Sequence, residues 1–253
     1  NGVVWKPSEK TPLCALAAQA LLDRVIDGHA PQFAGLNCVL IGGRQLGQLL
    51  VQHPSVRLMS ATGSTRMGRE VGMACAAHFK RAILELGGNN AAIVAPSANL
   101  ELTLRAMTFA AAGTAGQRCT TLRRAFVHVD LIATVTQRLR QVYARLPVGD
   151  PLQGGTLVGP LIDTAAGDAM ANALASCRAQ GNVVHGGERL LVDRFPHAGY
   201  VRPALVLTDT QHDTMLTETF APILYVMPYT SLDEAIALNN AASHGLSSCI
   251  FTE

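Results

Sequence analysis

Two side chains carry most of the chemistry that can be read from this sequence. Cys119 lies in Gly116-Gln117-Arg118-Cys119-Thr120-Thr121, and 34 residues upstream Glu85 leads straight into Gly87-Gly88. A cysteine is the softest and most readily activated of the side-chain nucleophiles. The small residues Gly113, Thr114, Ala115 and Gly116 leave room for a substrate beside it. Glu85 ends the apolar run Ala82-Ile83-Leu84, a strand terminus where burial would suit a carboxylate to general-base work. Each residue also has a plain alternative: Cys119 as a packing thiol, Glu85 as a capping or salt-bridged carboxylate.

Three further segments could serve a ligand. Gly63-Ser64-Thr65-Arg66-Met67-Gly68 has the form of a helix start, where open backbone N–H groups and the helix dipole favour anions. It is not a Walker A loop, because Arg69-Glu70 stands where Lys-Ser/Thr would be, and the chain contains no Gly-x-Gly-x-x-Gly. An N-capped helix with no ligand explains the segment as well. Lys6 and Glu9, in Trp5-Lys6-Pro7-Ser8-Glu9, follow a strand exit of the kind where cofactors dock on open sheets. Alone they read as surface charges. Glu218-Thr219-Phe220-Ala221-Pro222 sets a carboxylate and an aromatic before a buried strand.

The elements that must position these residues alternate. The reading expects strands at Val3–Trp5, 38–41, 57–60 and 82–86, with helices at 13–26 (stopped by Gly28), 45–52 and from Gly63-Ser64 to about His78. Further on it expects strands at 91–94, 125–129, 183–185, 200–207, 223–227 and 248–251. Helices fall at 100–112, 131–146, 165–180 and from the capping box Ser231-Leu232-Asp233-Glu234 to about Ala241. Residues 149–160 read as a long Gly/Pro loop. This is an α/β pattern with parallel strands and crossover helices, and Gly87-Gly88 is its natural hinge.

Composition narrows the function classes. Apolar residues make up 49% and charged residues 15%, enough for a sizeable core, while the net charge of +2 without a basic tract gives nucleic acid and anionic membranes little to bind. No apolar stretch reaches the roughly 18 residues of a membrane span. Six scattered cysteines without a Cys-x-x-Cys, and eight histidines without a His-x-x-x-His, fit a reduced, cytoplasmic protein with no metal site.

Taken in order, Trp5-Lys6-Pro7-Ser8-Glu9, Thr62-Gly63-Ser64, Glu85-Leu86-Gly87-Gly88, Gly116-Gln117-Arg118-Cys119 and Glu218-Thr219-Phe220-Ala221-Pro222 resemble the aldehyde dehydrogenase superfamily. Glu85–Ala91, Thr114–Arg124 and Thr217–Val226 resemble its antiquitin branch, which oxidises α-aminoadipic semialdehyde in lysine catabolism. The resemblance implies part of a Rossmann-type NAD-binding domain over 1–87 and most of an α/β catalytic domain over 88–253. It implies Cys119 as nucleophile and Glu85 as base. It further implies that NAD is held by Lys6, Glu9, Gly63, Ser64, Leu86, Glu218 and Phe220, with Arg118 on a substrate carboxylate or in a structural ion pair. A carboxylate at Glu9 disfavours a 2′-phosphate, hence NAD rather than NADP. A homodimer or homotetramer is implied as well.

The chain begins on Asn1-Gly2 without Met, and the family's oxyanion-hole Asn, oligomerisation arm and C-terminal substrate loop are not matched in it. The expectation is therefore a fragment, poorly soluble and inactive in isolation. Two rival readings stand beside this one: a Cys–Glu thioester hydrolase or acyltransferase, and a catalytically silent NAD-binding fragment.

Overall fold

The computed structural model describes residues 2–253; Asn1 lies outside the described residues. The chain divides into two compact units, Asn1–Leu86 and Gly87–Glu253.

The first unit carries two short parallel strand pairs. β1 (Val3–Trp5) pairs with β2 (Asn37–Val39), and β3 (Leu58–Thr62) pairs with β4 (Arg81–Glu85). The helices are α1 (Pro12–His29), α2 (Arg44–Gln52) and α3 (Thr65–Ala77). Gly28 does not stop α1: the helix runs through it to His29 and is capped at Ala30. The cause is Pro31, which disfavours helical geometry in the residue before it and itself opens a 3-10 turn. Ala15, Val51 and Cys75 are buried, whereas Leu13, Leu49, Met73 and the 99% exposed Phe79 face outward.

The second unit is a six-stranded sheet covered on both faces. Its strands are β5 (Asn90–Val94), β6 (Leu122–His128), β7 (Val183–His185), β8 (Ala204–Leu207), β9 (Ile223–Tyr229) and β10 (Ser248–Phe251), in the order β10-β5-β6-β9-β8-β7. All pairings are parallel except β7 on β8. Period-two alternation sorts the side chains into two cores. Ala91, Ile93, Phe126, Val206, Ile223, Tyr225 and Met227 pack with Met170, Leu174 and Cys177 of α6 (Thr164–Ala179). Ala92, Val94, Ala125, Val127, Leu205, Leu224 and Val226 pack with α4 (Leu100–Ala112) and α5 (Val129–Arg145). A short α7 (Asp213–Leu216) and α8 (Leu232–Asn240) complete the unit.

Two strand starts lie three or more residues from the sequence reading, each for a physical reason. β6 starts at Leu122 rather than 125, because Arg123 and Arg124, which read as polar ends, are buried strand residues. β8 starts at Ala204 rather than 200, because Pro203 lacks a ladder N–H; upstream only the isolated bridges Leu161–Gly199 and Arg189–Val201 form. At α8 the cap forms as the sequence predicts: the Glu234 N–H donates to Ser231 Oγ at 3.3 Å, while the Glu234 carboxylate turns back to the Thr230 N–H at 2.8 Å. That Thr230 N–H holds the Glu234 carboxyl below its ordinary range.

Candidate active site

Cys119 is exposed on the loop between α4 and β6. The chain reaches it through Thr114 (φ 55°), Ala115 (φ 51°) and Gly116 (φ 67°), three consecutive residues in left-handed backbone. Such geometry strains the two non-glycine residues and persists only where surrounding packing fixes it. Here Ala115 is buried, and a Cβ on Gly116 would run into the Ala221 carbonyl.

Three polar side chains then pin the loop. Gln117 donates from Nε2 to the carbonyls of Thr114 and Pro160, each at 3.3 Å, and accepts from the Ile162 N–H at 2.8 Å. Asn90, at the start of β5, donates from Nδ2 to the carbonyls of Cys119 (2.8 Å) and Thr121 (2.9 Å). Its Oδ1 accepts the N–H groups of Leu246 and Ser247, both at 2.9 Å. All four capacities of the amide are used, and the two N–H donors fix which atom is oxygen.

Arg123 is the third, and only 3% of its side chain is exposed. Its Nε donates to Gly88 O (3.1 Å) and its Nη1 to Thr219 O (2.7 Å); Nη2 donates to Arg118 O (3.3 Å) and to Glu218 Oε1 (2.9 Å). Burial pulls this guanidinium below its ordinary pKa, and the Glu218 carboxylate opposes that pull. Its neighbour Arg124, on the other side of the strand, has no carboxylate partner among the described residues. It donates instead to Asn89 Oδ1 and O, Gln211 Oε1 and the carbonyls of Leu238 and Asn239. Burial lowers its pKa to about 10.

Arg123 therefore links the Glu218 carboxylate to the loop that carries Cys119. Beyond its bond to Arg123, Oε1 accepts from the Gly88 N–H at 3.2 Å, and Oε2 lies where a Gly87 Cβ would otherwise be. Gly88 is equally constrained, since a Cβ there would stand 2.7 Å from Cys119 O. Phe220 is 45% exposed, with the Arg123 guanidinium 5.3 Å from its ring centroid. Arg118 has no ion pair among the described residues, so the structural ion-pair alternative finds no partner. It stacks 5.0 Å from the Phe109 centroid and donates to Phe109 O at 3.3 Å, while its buried Nε has no hydrogen-bond partner.

The remaining candidates belong to the first unit. Lys6 and Glu9 pair with each other at 3.3 Å, and Lys6 also donates to Pro7 O. Backbone hydrogen bonding and then Lys6 hold the Glu9 carboxyl below its usual range. Ser64 caps α3, its Oγ accepting from the Met67 N–H at 3.2 Å, and the Gly63 N–H donates to Glu85 O at 3.0 Å. The amides of Thr65 and Arg66 have no intrahelical acceptor, which makes this helix end receptive to an anion. Leu86 packs on α3 at Gly68, where a Cβ would collide with it. Glu85 is exposed within this unit rather than buried as the sequence reading expects. Among the described residues there is no cluster of three or more metal-ligating side chains, and no helix is long and apolar enough to cross a membrane.

Asn90, Gln117 and Arg123 are the site residues that sequence reasoning missed. No local signal marks them: the sequence reading starts the two strands at 91 and 125, so Asn90 and Arg123 fall just outside them, whereas the structure buries both within β5 and β6.

Known proteins are similar to this chain in sequence and in fold. Aldehyde dehydrogenase family 7 member A1 of Pisum sativum is 38% identical over 253 residues, covering 100% of this chain and 49% of the relative. The α-aminoadipic semialdehyde dehydrogenase of Bos taurus is 40% identical over 257 residues, covering 100% of this chain and 46% of the relative. The chain thus spans about half the length of the curated relatives it matches. Among solved structures, PnpE in complex with nicotinamide adenine dinucleotide superposes with a TM-score of 0.93 at 31% identity, over 100% of this chain and 51% of that one. The betaine aldehyde dehydrogenase of Staphylococcus aureus in complex with NAD+ gives a TM-score of 0.92 at 26% identity, over 100% and 50%. The family model described as "Aldehyde dehydrogenase family" matches residues 1–253, and this chain belongs to the aldehyde dehydrogenase family.

Proposed function

We propose that the chain serves the NAD-dependent oxidation of an aldehyde to a carboxylic acid, with Cys119 as nucleophile and Glu85 as general base. The observation that carries this reading is the exposed Cys119 on a strained loop pinned by Asn90, Gln117 and Arg123 beside the Glu218 carboxylate. A packing cysteine has no use for such a frame.

The donor set of the first unit suits a dinucleotide. Ser64 and the open amides of α3 offer hydrogen bonds to a pyrophosphate, while Lys6 and Glu9 offer a cation and an acceptor for ribose hydroxyls. Gly63 and Leu86 belong to the same surface, and Glu218 with Phe220 would hold the nicotinamide end. NAD, when bound, supplies the hydride acceptor.

Cys119 as thiolate attacks the aldehyde carbon and forms a thiohemiacetal oxyanion, which the Cys119 backbone N–H helps to hold. Loss of hydride from that carbon leaves a thioester on Cys119. Glu85 then takes a proton from water, the hydroxide displaces the thiolate, and the acid leaves.

We place the substrate among semialdehydes with a distal carboxylate, α-aminoadipic semialdehyde first. The position of Arg118 next to Cys119, with no ion pair among the described residues, supports this, because a guanidinium fork matches a carboxylate. The names of the relatives support the same choice. Six unpaired cysteines support a reduced, cytoplasmic setting, and family resemblance supports a homodimer or homotetramer. NADH formation at 340 nm by the complete protein with a panel of semialdehydes tests the reading. Thioester turnover without NADH would favour a hydrolase instead.

A further inference from the structure

We infer that Arg123 is a positioning residue that sets the Glu218 carboxylate for its ribose partner and ties that carboxylate to the nucleophile loop. The inference rests on the proposed NAD-dependent function and deepens it.

The guanidinium has five N–H donors in a rigid plane. Here they reach three segments far apart in sequence: Gly88 before β5, Arg118 beside the nucleophile, and Glu218-Thr219 before β9. Among the described residues, no other side chain hydrogen-bonds to all three. The bond to Glu218 is charge-assisted at 2.9 Å, with 3% of the arginine and 15% of the glutamate side chain exposed. Oε1 is taken by Arg123 and the Gly88 N–H, so the carboxylate cannot rotate freely, and Oε2 is held in one direction over Gly87. Phe220, stacked against the same guanidinium, is steadied with it. A lysine has no fork: one ammonium cannot serve carbonyls on three segments and a carboxylate together.

The experiment uses the complete protein carrying residues 1–253. Arg123→Lys, Glu218→Gln and the double variant are compared with the parent for NAD dissociation constant, KM for NAD, KM for aldehyde, and melting temperature. The expected result is a rise on the order of tenfold in the NAD dissociation constant and KM for Arg123→Lys, with the aldehyde KM within about twofold. In the Glu218→Gln background the same substitution should cost less than about threefold, because the partner is already altered. A purely structural arginine would lower the melting temperature and the active fraction without moving the NAD constants, and that result overturns the inference. So does an undiminished tenfold effect in the Glu218→Gln background. Arg123→Met, which removes the guanidinium and leaves the Glu218 carboxylate without its ion pair, replaces Arg123→Lys if the lysine variant does not fold. A parent protein that binds no NAD overturns the underlying function and this inference with it. NAD weakened by Glu218→Gln but not by either Arg123 variant overturns this inference alone.

Discussion

Replacing Asn90 should damage both the stability of the second unit and the placement of Cys119. Asn90 is 2% exposed and makes four hydrogen bonds of 2.8–2.9 Å. Asn90→Asp is nearly isosteric, so no cavity confuses the result. It keeps the acceptor for Leu246 and Ser247 but turns both Nδ2 donors into an oxygen facing the carbonyls of Cys119 and Thr121. Thr121 is buried, so its carbonyl is stranded at a cost of about 1–3 kcal/mol. The Cys119 carbonyl can rehydrate and loses about 0.5–1.5 kcal/mol, and oxygen–oxygen repulsion adds to both. The sum is roughly 3–5 kcal/mol, or on the order of 10 °C in melting temperature for a unit of this size. Protonation of the new carboxyl restores one donor, so its pKa is raised in the fold. The deficit against Asn90 is then smallest and level below about pH 4, and grows as pH rises from there through the raised folded pKa. Calorimetry or dye-monitored melting of the complete protein at several pH values measures this, and the rate of Cys119 alkylation by iodoacetamide reports loop placement. A variant that melts within about 2 °C of the parent at pH 7, with unchanged alkylation, would refute the view that Asn90 holds the loop.

Three further outcomes are expected. Gly116→Ala should destabilise by about 3 kcal/mol or more, since it combines a left-handed φ with a collision at the Ala221 carbonyl; Gly154→Ala, where a Cβ meets nothing within 4 Å, is the matched control and should melt within about 2 °C of the parent. Arg118→Leu should raise KM for a carboxylate-bearing semialdehyde on the order of a hundredfold while leaving a neutral aldehyde of similar length within about threefold, as steady-state NADH rates will show. Glu234→Ala should lower the melting temperature slightly at neutral pH. Because the folded carboxyl sits below its ordinary pKa, that loss is full above pH 5 and vanishes as pH falls through the folded value, a trend a pH series of melts can follow.

Residues that act through local chemistry were legible in the sequence, and those that act through distance were not. The loop at Cys119, the Ser231 cap and the strand–helix alternation each depend on neighbours within a few positions, so spacing exposes them. Ser64 follows the same rule: three residues separate the hydroxyl from the Met67 N–H it accepts. Asn90 and Arg123 act on partners 29 to 157 and 5 to 96 residues away, and no local pattern announces such pairings. The early start of β6 was hidden for the same reason. Two adjacent arginines end a strand by composition, yet here opposite faces of the sheet supply each with its own set of acceptors. The end of α1 was legible and misassigned: Gly28 drew attention that belonged to Pro31. The left-handed run at Thr114 and Ala115 could not be read, because neither residue favours that geometry and only packing imposes it.

The most direct test of the central claim is NADH production by the complete protein with α-aminoadipic semialdehyde, measured at 340 nm for the parent and for Cys119→Ala. The account predicts NAD-dependent turnover by the parent and its loss, by a factor of at least about 10³, in Cys119→Ala. Turnover that survives Cys119→Ala would contradict it.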